Sequence, residues 1–240
     1  MLLVSPSTYI AAVAFLWLMG FIFTDILEQF SKAAQADSPA SVFFSLYFLP
    51  VIFMVPLLTM KCLAEERRLG TIETLLTTPV TTTEVVLGKY AAAYLLYLAF
   101  WGSTSGLFYI LKRFAGDPRL IDSGPILGGY LFIAVSGLFF IAIGVFASAL
   151  SRNQAVAGIL CTTILMALIF GSRYLGSAVW LDRESLAPLK AVVEYAQISQ
   201  HFEDFTRGVV DTRELLFYVS GTVLALIFSI LSVEAKLLHS

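Results

Sequence analysis

Charge is what this sequence has least of. Asp, Glu, Lys and Arg make up 13% of its 240 residues, where a soluble domain carries about 25%. A soluble helical protein would need far more polar helix faces. The formal net charge is -2, so no basic field exists to hold nucleic acid. Cysteine is scarce as well. Cys62 and Cys161 show no ligand spacing, which argues against a disulfide framework or a zinc site. The only histidines are His201 and His239, far apart in sequence, so His201 reads as an interfacial side chain rather than a ligand. The methionines at 1, 19, 54, 60 and 166 make no cluster of the kind copper ligation uses. No metal and no cofactor are expected.

Several chemical motifs are missing too. There is no Gly-x-x-x-x-Gly-Lys-Ser/Thr loop to cradle nucleotide phosphates, so the chain is not expected to hydrolyse ATP alone. No His-Glu-x-x-His set and no nucleophile with a base lies within an apolar run, which disfavours an intramembrane enzyme. The middles of those runs also lack Asp, Glu, Lys, Arg and His. That absence disfavours an ion-gradient-driven secondary transporter, the main alternative, which needs paired ionisable groups at mid-membrane.

What is there is hydrophobic. Apolar residues make up 58% of the chain, with 20 Phe and 10 Tyr, and the mean hydropathy is +0.85. The sequence predicts an all-α integral membrane protein in a single domain, 1–240, with six spans. They are placed at about 8–27, 42–62, 86–111, 124–150, 154–174 and 213–236, each near the 20 residues a bilayer requires. A cleaved signal peptide competes for the first run, since Ala34-Gln35-Ala36 resembles a cleavage site. Yet no Lys or Arg precedes that run, and it is longer than a signal core.

The later runs carry their own marks. Pro50 and Pro56 in the second predict a kink, either at a flexible pore-facing helix or absorbed by packing. Gly102 and Gly106 in the third form a Gly-x-x-x-Gly pair, read first as packing within the subunit and second as a dimer contact. The fourth is rich in small residues. Between the fifth and sixth, residues 194–207 place Tyr195, Ile198, Phe202 and Phe205 near one helical face. They predict an amphipathic helix in the outer interface or dipping between spans, stopped at Gly208. Asp211 and Glu214 have capping-box spacing at the start of the sixth.

One polar island interrupts this pattern. Glu65, Glu66, Arg67 and Arg68 would each cost roughly 3 kcal/mol at a bilayer centre, so they sit in water or at the membrane surface. Leu69, Ile72, Leu75 and Leu76 fall at helical spacing, which predicts an amphipathic helix over 65–76, stopped before Pro79. Thr81 and Glu84 then form a Thr-x-x-Glu capping box that opens the third span. A short helix of this kind suits docking to a soluble partner; a solvated connection between two spans is the plainer alternative.

The run Glu65-Glu66-Arg67-Arg68-Leu69-Gly70-Thr71-Ile72-Glu73-Thr74-Leu75-Leu76-Thr77-Thr78-Pro79-Val80, followed by Glu84 through Lys89, resembles the signature of type-2 ABC transporter permeases. It is most similar to the small permeases of the gliding-motility and nitrous-oxide-accessory kind. The resemblance implies a cytoplasmic coupling helix within 64–84 that docks on a separate ABC ATPase. The matching positions are Glu65, Glu66, Arg67, Arg68, Gly70, Thr71, Glu73, Leu75, Leu76 and Pro79. It also implies a second permease subunit in a homo- or heterodimer, and an auxiliary periplasmic subunit in some complexes. A non-transporting mechanical subunit is a further variant of the same reading.

The resemblance places the chain in the bacterial inner membrane with both termini cytoplasmic. Lysine and arginine counts oppose that orientation weakly. Lys61, Arg67, Arg68, Lys89, Arg152 and Lys236 would lie inside. Lys32, Lys112, Arg113, Arg119, Arg173, Arg183, Lys190, Arg207 and Arg213 would lie outside. Nothing in the apolar runs names a cargo.

Overall fold

A computed structural model describes residues 6–32, 38–70, 81–114, 123–176 and 187–237. All regular structure among them is helical, with no strand. In chain order the helices are α1 (Pro6–Lys32), α2 (Pro39–Ser45), α3 (Phe48–Thr59), α4 (Ala64–Leu69), α5 (Thr82–Ser103) and α6 (Ser105–Phe114). They continue with α7 (Ser123–Leu150), α8 (Gln154–Met166), α9 (Ser172–Gly176), α10 (Ala187–Tyr195), α11 (Ile198–Thr206) and α12 (Thr212–Leu237). A π-helical turn, Ala167–Gly171, joins α8 to α9. Six stretches are long and apolar enough to cross a membrane: Thr8–Lys32, Phe48–Leu69, Thr82–Phe114, Ser123–Leu150, Gln154–Leu175 and Thr212–Ala235. The six predicted spans are therefore present.

The fourth span, α7, is the centre. Of its most apolar stretch 67% is buried, against 22% in the first and fifth spans. Its small residues explain why neighbours close on it from several sides. A methyl group on Gly129 would sit 2.6 Å from the Phe44 ring, one on Gly137 2.2 Å from the Tyr97 ring, and one on Gly144 2.2 Å from Thr59 Oγ1. Real contacts do not come that close, so each glycine is a slot that admits a neighbour.

Tyrosine hydroxyls fasten the packed helices. Tyr47 is hydrogen-bonded to Tyr97 at 2.6 Å and to Ser136 at 2.7 Å, all three buried. Tyr94 and Tyr97 donate to the carbonyls of Ala134 and Ile133 at 2.8 and 3.3 Å. A buried hydroxyl left unbonded would cost more than the bond contributes, so this network fixes the register of α5 against α7.

Several details differ from expectation. The second span is broken at Leu46–Tyr47, between α2 and α3, not at Pro50. Pro50 falls in the first turn of α3, where a missing N–H removes no helical bond. Pro56 lies inside α3, and both prolines are buried. The third span starts earlier than Val86, at Thr82, and is interrupted at Thr104 between α5 and α6. Gly102 and Gly106 face open space, with no atom within 4 Å of an added methyl, so they do not pack within the subunit.

Candidate functional site

The charged run begins where α3 ends. The chain turns over Met60–Leu63 and re-enters a helix as α4. Six residues are too few to hold a helix unaided, and Leu63, at the N-cap, has no side chain to bond the first N–H groups. Ser148 of α7 supplies the cap from outside. Its Oγ accepts the backbone N–H groups of Leu63 and Ala64, both at 3.0 Å, and donates to the Met60 carbonyl at 3.3 Å.

Two cations complete the attachment. Arg67 donates to the Ala149 carbonyl, one of the last-turn carbonyls of α7 that have no helical partner. Lys89, in α5, donates to the Glu66 carboxylate and to the Cys62 carbonyl. The Lys89 and Glu66 side chains are 22% and 23% exposed, so their attraction is screened less than that of a surface pair. The elbow is therefore fixed to α7 and α5 as well as to α3. Arg68 and Leu69 are exposed at its tip, and Glu65 is half-buried.

Gly70 ends α4. Its φ of 70° is left-handed, a conformation only glycine adopts at little cost, and its N–H returns to the Arg67 carbonyl at 3.4 Å. The predicted helix over 65–76 is thus corrected: it stops at Leu69, and the acidic and basic residues form a short capped turn of helix. Thr71, Glu73, Leu75, Leu76 and Pro79 lie outside the described residues. The capping box on their far side is present. The Glu84 N–H donates to Thr81 Oγ1 at 3.3 Å, and the Thr81 N–H donates to the Glu84 carboxylate at 2.8 Å.

Beside the elbow an apolar groove of about 590 Å3 opens between α3 and α8, lined by Phe53, Pro56, Met60, Ile159 and Met166. Thr162 and Thr163 also line it, but their hydroxyls donate to the carbonyls of Gly158 and Ile159 in their own helix. The groove therefore presents an almost wholly apolar surface. Met60 belongs to both features, since its carbonyl accepts from Ser148.

The other end of α7 is covered by α11. The carbonyl oxygen of Phe205 approaches Gly128 so closely that an added methyl would lie 1.9 Å from it. The helix expected over 194–207 is two helices, parted at Ala196–Gln197. Ile198, Phe202 and Phe205 are buried, while Tyr195 is 44% exposed and donates to the Arg213 carbonyl at 2.6 Å. Gly208, at φ 82°, lies just past the end of α11. His201 is buried against neighbouring helices, being only 4% exposed. Its Nε2 lies 3.0 Å from the Tyr195 carbonyl and its Nδ1 3.2 Å from the Tyr218 hydroxyl. A carbonyl only accepts, so Nε2 carries the proton and Nδ1 of the neutral ring accepts from Tyr218. The second capping box does not form; only a simple N-cap bond to the second helical residue is made. Asp211 Oδ1 accepts the Arg213 N–H at 2.9 Å, while Glu214 is buried with one carboxyl oxygen unbonded.

Six apolar spans around a small-residue centre, with a charged elbow at one end, define a multi-pass membrane permease. A family model described as ABC-2 family transporter protein matches residues 24–189, a range that includes the elbow and five of the six spans in whole or part. The chain belongs to that family. No curated protein matches it. Family membership implies an ABC ATPase as partner.

Ser148 was legible beforehand only as one more small residue of the fourth run. A signal did exist: a hydroxyl three residues before Ser151-Arg152-Asn153 stands where α7 ends and carbonyls go unpaired. The two N–H groups it caps are 84 and 85 residues away, which no local pattern could reveal.

Proposed function

We propose that this permease subunit converts ATP hydrolysis on a separate ATPase into movement of its spans through the 64–84 segment. The supporting observation is the attachment of the elbow to α7 and α5. Ser148, Arg67 and Lys89 make α4 a stiff lever rather than a loop. A push on its exposed tip, Arg68 and Leu69, reaches the most buried span directly. In this reading 64–84 and both termini face the cytoplasm of a bacterial cell, and the chain itself performs no hydrolysis. Residues 1–240 act as one permease domain, and Glu65, Glu66, Arg67, Arg68, Gly70, Thr71, Glu73, Leu75, Leu76 and Pro79 form the coupling surface. Two permease subunits enclose the pathway, and an auxiliary periplasmic subunit fits the resemblance to small gliding-motility and nitrous-oxide-accessory permeases.

The groove between α3 and α8 supports an apolar cargo or an apolar part of one. Movement of the elbow shifts Met60, one of its walls. The test is affinity purification from native membranes with identification of the ATPase that accompanies the chain. The complex is then reconstituted and screened for cargo by stimulated ATP hydrolysis. Glu73→Lys and Gly70→Pro are expected to leave hydrolysis running while movement of cargo falls. Unchanged transport in both variants, or the absence of any nucleotide-binding partner, overturns the reading.

A further inference from the structure

The groove between α3 and α8 carries charge at one end. Met60 and Gly158 meet there, where a methyl on Gly158 would lie 3.7 Å from the Met60 sulfur. Lys61 follows Met60, and Arg152 stands in the turn that leads into α8. The two helices and their turns, residues 60–63 and 151–153, contain no Asp or Glu. Of the acids in α4, Glu66 is held by Lys89 of α5, a helix that does not line the groove, and Glu65 is half-buried.

Arg67 brings a second guanidinium to this rim. It donates to the carbonyl of Ala149, three residues before Arg152, and α4 packs on both α7 and α8. The charges of Arg67 and Arg152 are close enough to act on each other. One bond leaves Arg67 with further N–H donors, and Arg152 is exposed. Two such groups repel unless an anion lies between them. Basic pockets between spans at the membrane surface hold anionic headgroups in this way.

Away from the rim the groove offers only apolar surface, since Thr162 and Thr163 spend their hydroxyls on their own helix. It ends at Met166, where α8 gives way to the π-helical turn. From Gly158 to Met166 a helix rises about 12 Å, most of the roughly 15 Å hydrocarbon depth of one leaflet. Phe53 and Ile159 are 61% and 67% exposed, so the groove opens sideways onto the bilayer. A neutral apolar molecule would leave the rim cations unused, and a soluble anion would leave the groove empty. A phospholipid with a net negative headgroup uses both.

We propose that the elbow, α3 and α8 bind one anionic phospholipid from the leaflet on the elbow side. Its phosphate lies between Arg67 and Arg152, and one acyl chain lies in the groove. The exposed tip, Arg68 and Leu69, stays clear for a soluble partner. The inference names the class of apolar molecule that the groove takes. It asserts binding and rests on neither ATPase coupling nor transport.

The test is lipid retention by the purified full chain in detergent, with no ATPase and no nucleotide. Native mass spectrometry follows titration with phosphatidylglycerol or phosphatidylcholine of identical acyl chains. The parent should keep one phosphatidylglycerol per chain and release phosphatidylcholine more readily. Arg152→Gln should weaken phosphatidylglycerol binding about fivefold, the effect of one cation near an anionic surface, and leave phosphatidylcholine binding unchanged. Gly158→Leu places a side chain in the mouth of the groove and should weaken both lipids. Thr162→Phe fills its middle and covers a failure of that variant to fold. Soluble glycerol phosphate should not displace the lipid. Equal retention of the two lipids by the parent, unchanged affinity in Arg152→Gln, or full retention in the groove variants overturns the proposal. Displacement by glycerol phosphate would reduce the site to a free-anion site and overturns it too. So does a lipid-free dimer that Gly158→Leu splits, which would make the groove an interface between copies of the chain.

Discussion

Ser148 of α7 holds the start of α4 by accepting the Leu63 N–H at 3.0 Å, and it holds the Ala64 N–H at the same distance. One hydroxyl thus caps a helix that belongs to another span. Ser148→Ala leaves two buried donors without an acceptor, each costing about 1–3 kcal/mol less whatever bond water restores. The variant is expected to unfold at lower temperature in detergent, with the loss largest in hydrogen exchange of Ala64–Leu69. Ser232→Ala removes a weaker bond, 3.4 Å to the Ala149 carbonyl, and should stay within about 0.5 kcal/mol of the parent. Equal losses in the two variants would show that Ser148 is not a special contact.

Gly128→Ala is expected to displace α11. The atom that an added methyl would meet at 1.9 Å is the Phe205 carbonyl oxygen, which cannot swing aside as a side chain can. Gly106→Ala meets nothing within 4 Å and should be neutral or slightly stabilising, since alanine suits a helix better by about 1 kcal/mol. Limited proteolysis across 196–210 should accelerate in the first variant and not in the second.

These positions show what could be read in advance. Spans are legible because some 20 apolar residues have no other stable use. The Thr81–Glu84 box is legible because both of its bonds are made within one turn. Whether the glycines of a helix face a neighbour is not legible: Gly137 receives Tyr97, while Gly102 and Gly106, an equally good pattern, face outward. Pro50 misled because a proline in a first turn breaks nothing, and only the break at Leu46–Tyr47 makes it a first-turn residue. The elbow was legible as a polar island, but its attachment depends on Ser148, Ala149 and Lys89 in distant segments. The burial of His201 was not legible because its partners, the Tyr195 carbonyl and the Tyr218 hydroxyl, face it only after α11 turns back on α12.

Thr81→Ala removes the side chain that accepts the Glu84 N–H and so uncaps the third span. An N-cap threonine is worth about 1 kcal/mol to the turn it starts. Amide exchange over Thr83–Val86 should speed up, while exchange at Tyr94–Tyr97, held by the tyrosine network, stays unchanged. Thr81→Ser should behave as the parent, since a serine hydroxyl accepts the same bond.

His201 gives α11 a response to pH. Burial holds its imidazole below the ordinary 6.5, because a charged ring is poorly solvated there; the Tyr195 carbonyl, Asp204 and Asp211 offset part of that effect. The docked helix therefore prefers the neutral ring, while a released helix would titrate near the ordinary value. Between the depressed pKa and 6.5 the released form binds more protons, so docking is intact above 6.5 and weakens as pH falls through that window. Hydrogen exchange of α11 should accordingly accelerate in acid, and His201→Gln, which cannot gain the charge, should lose that acceleration. Acid acceleration that persists unchanged in His201→Gln would show that another group governs the response.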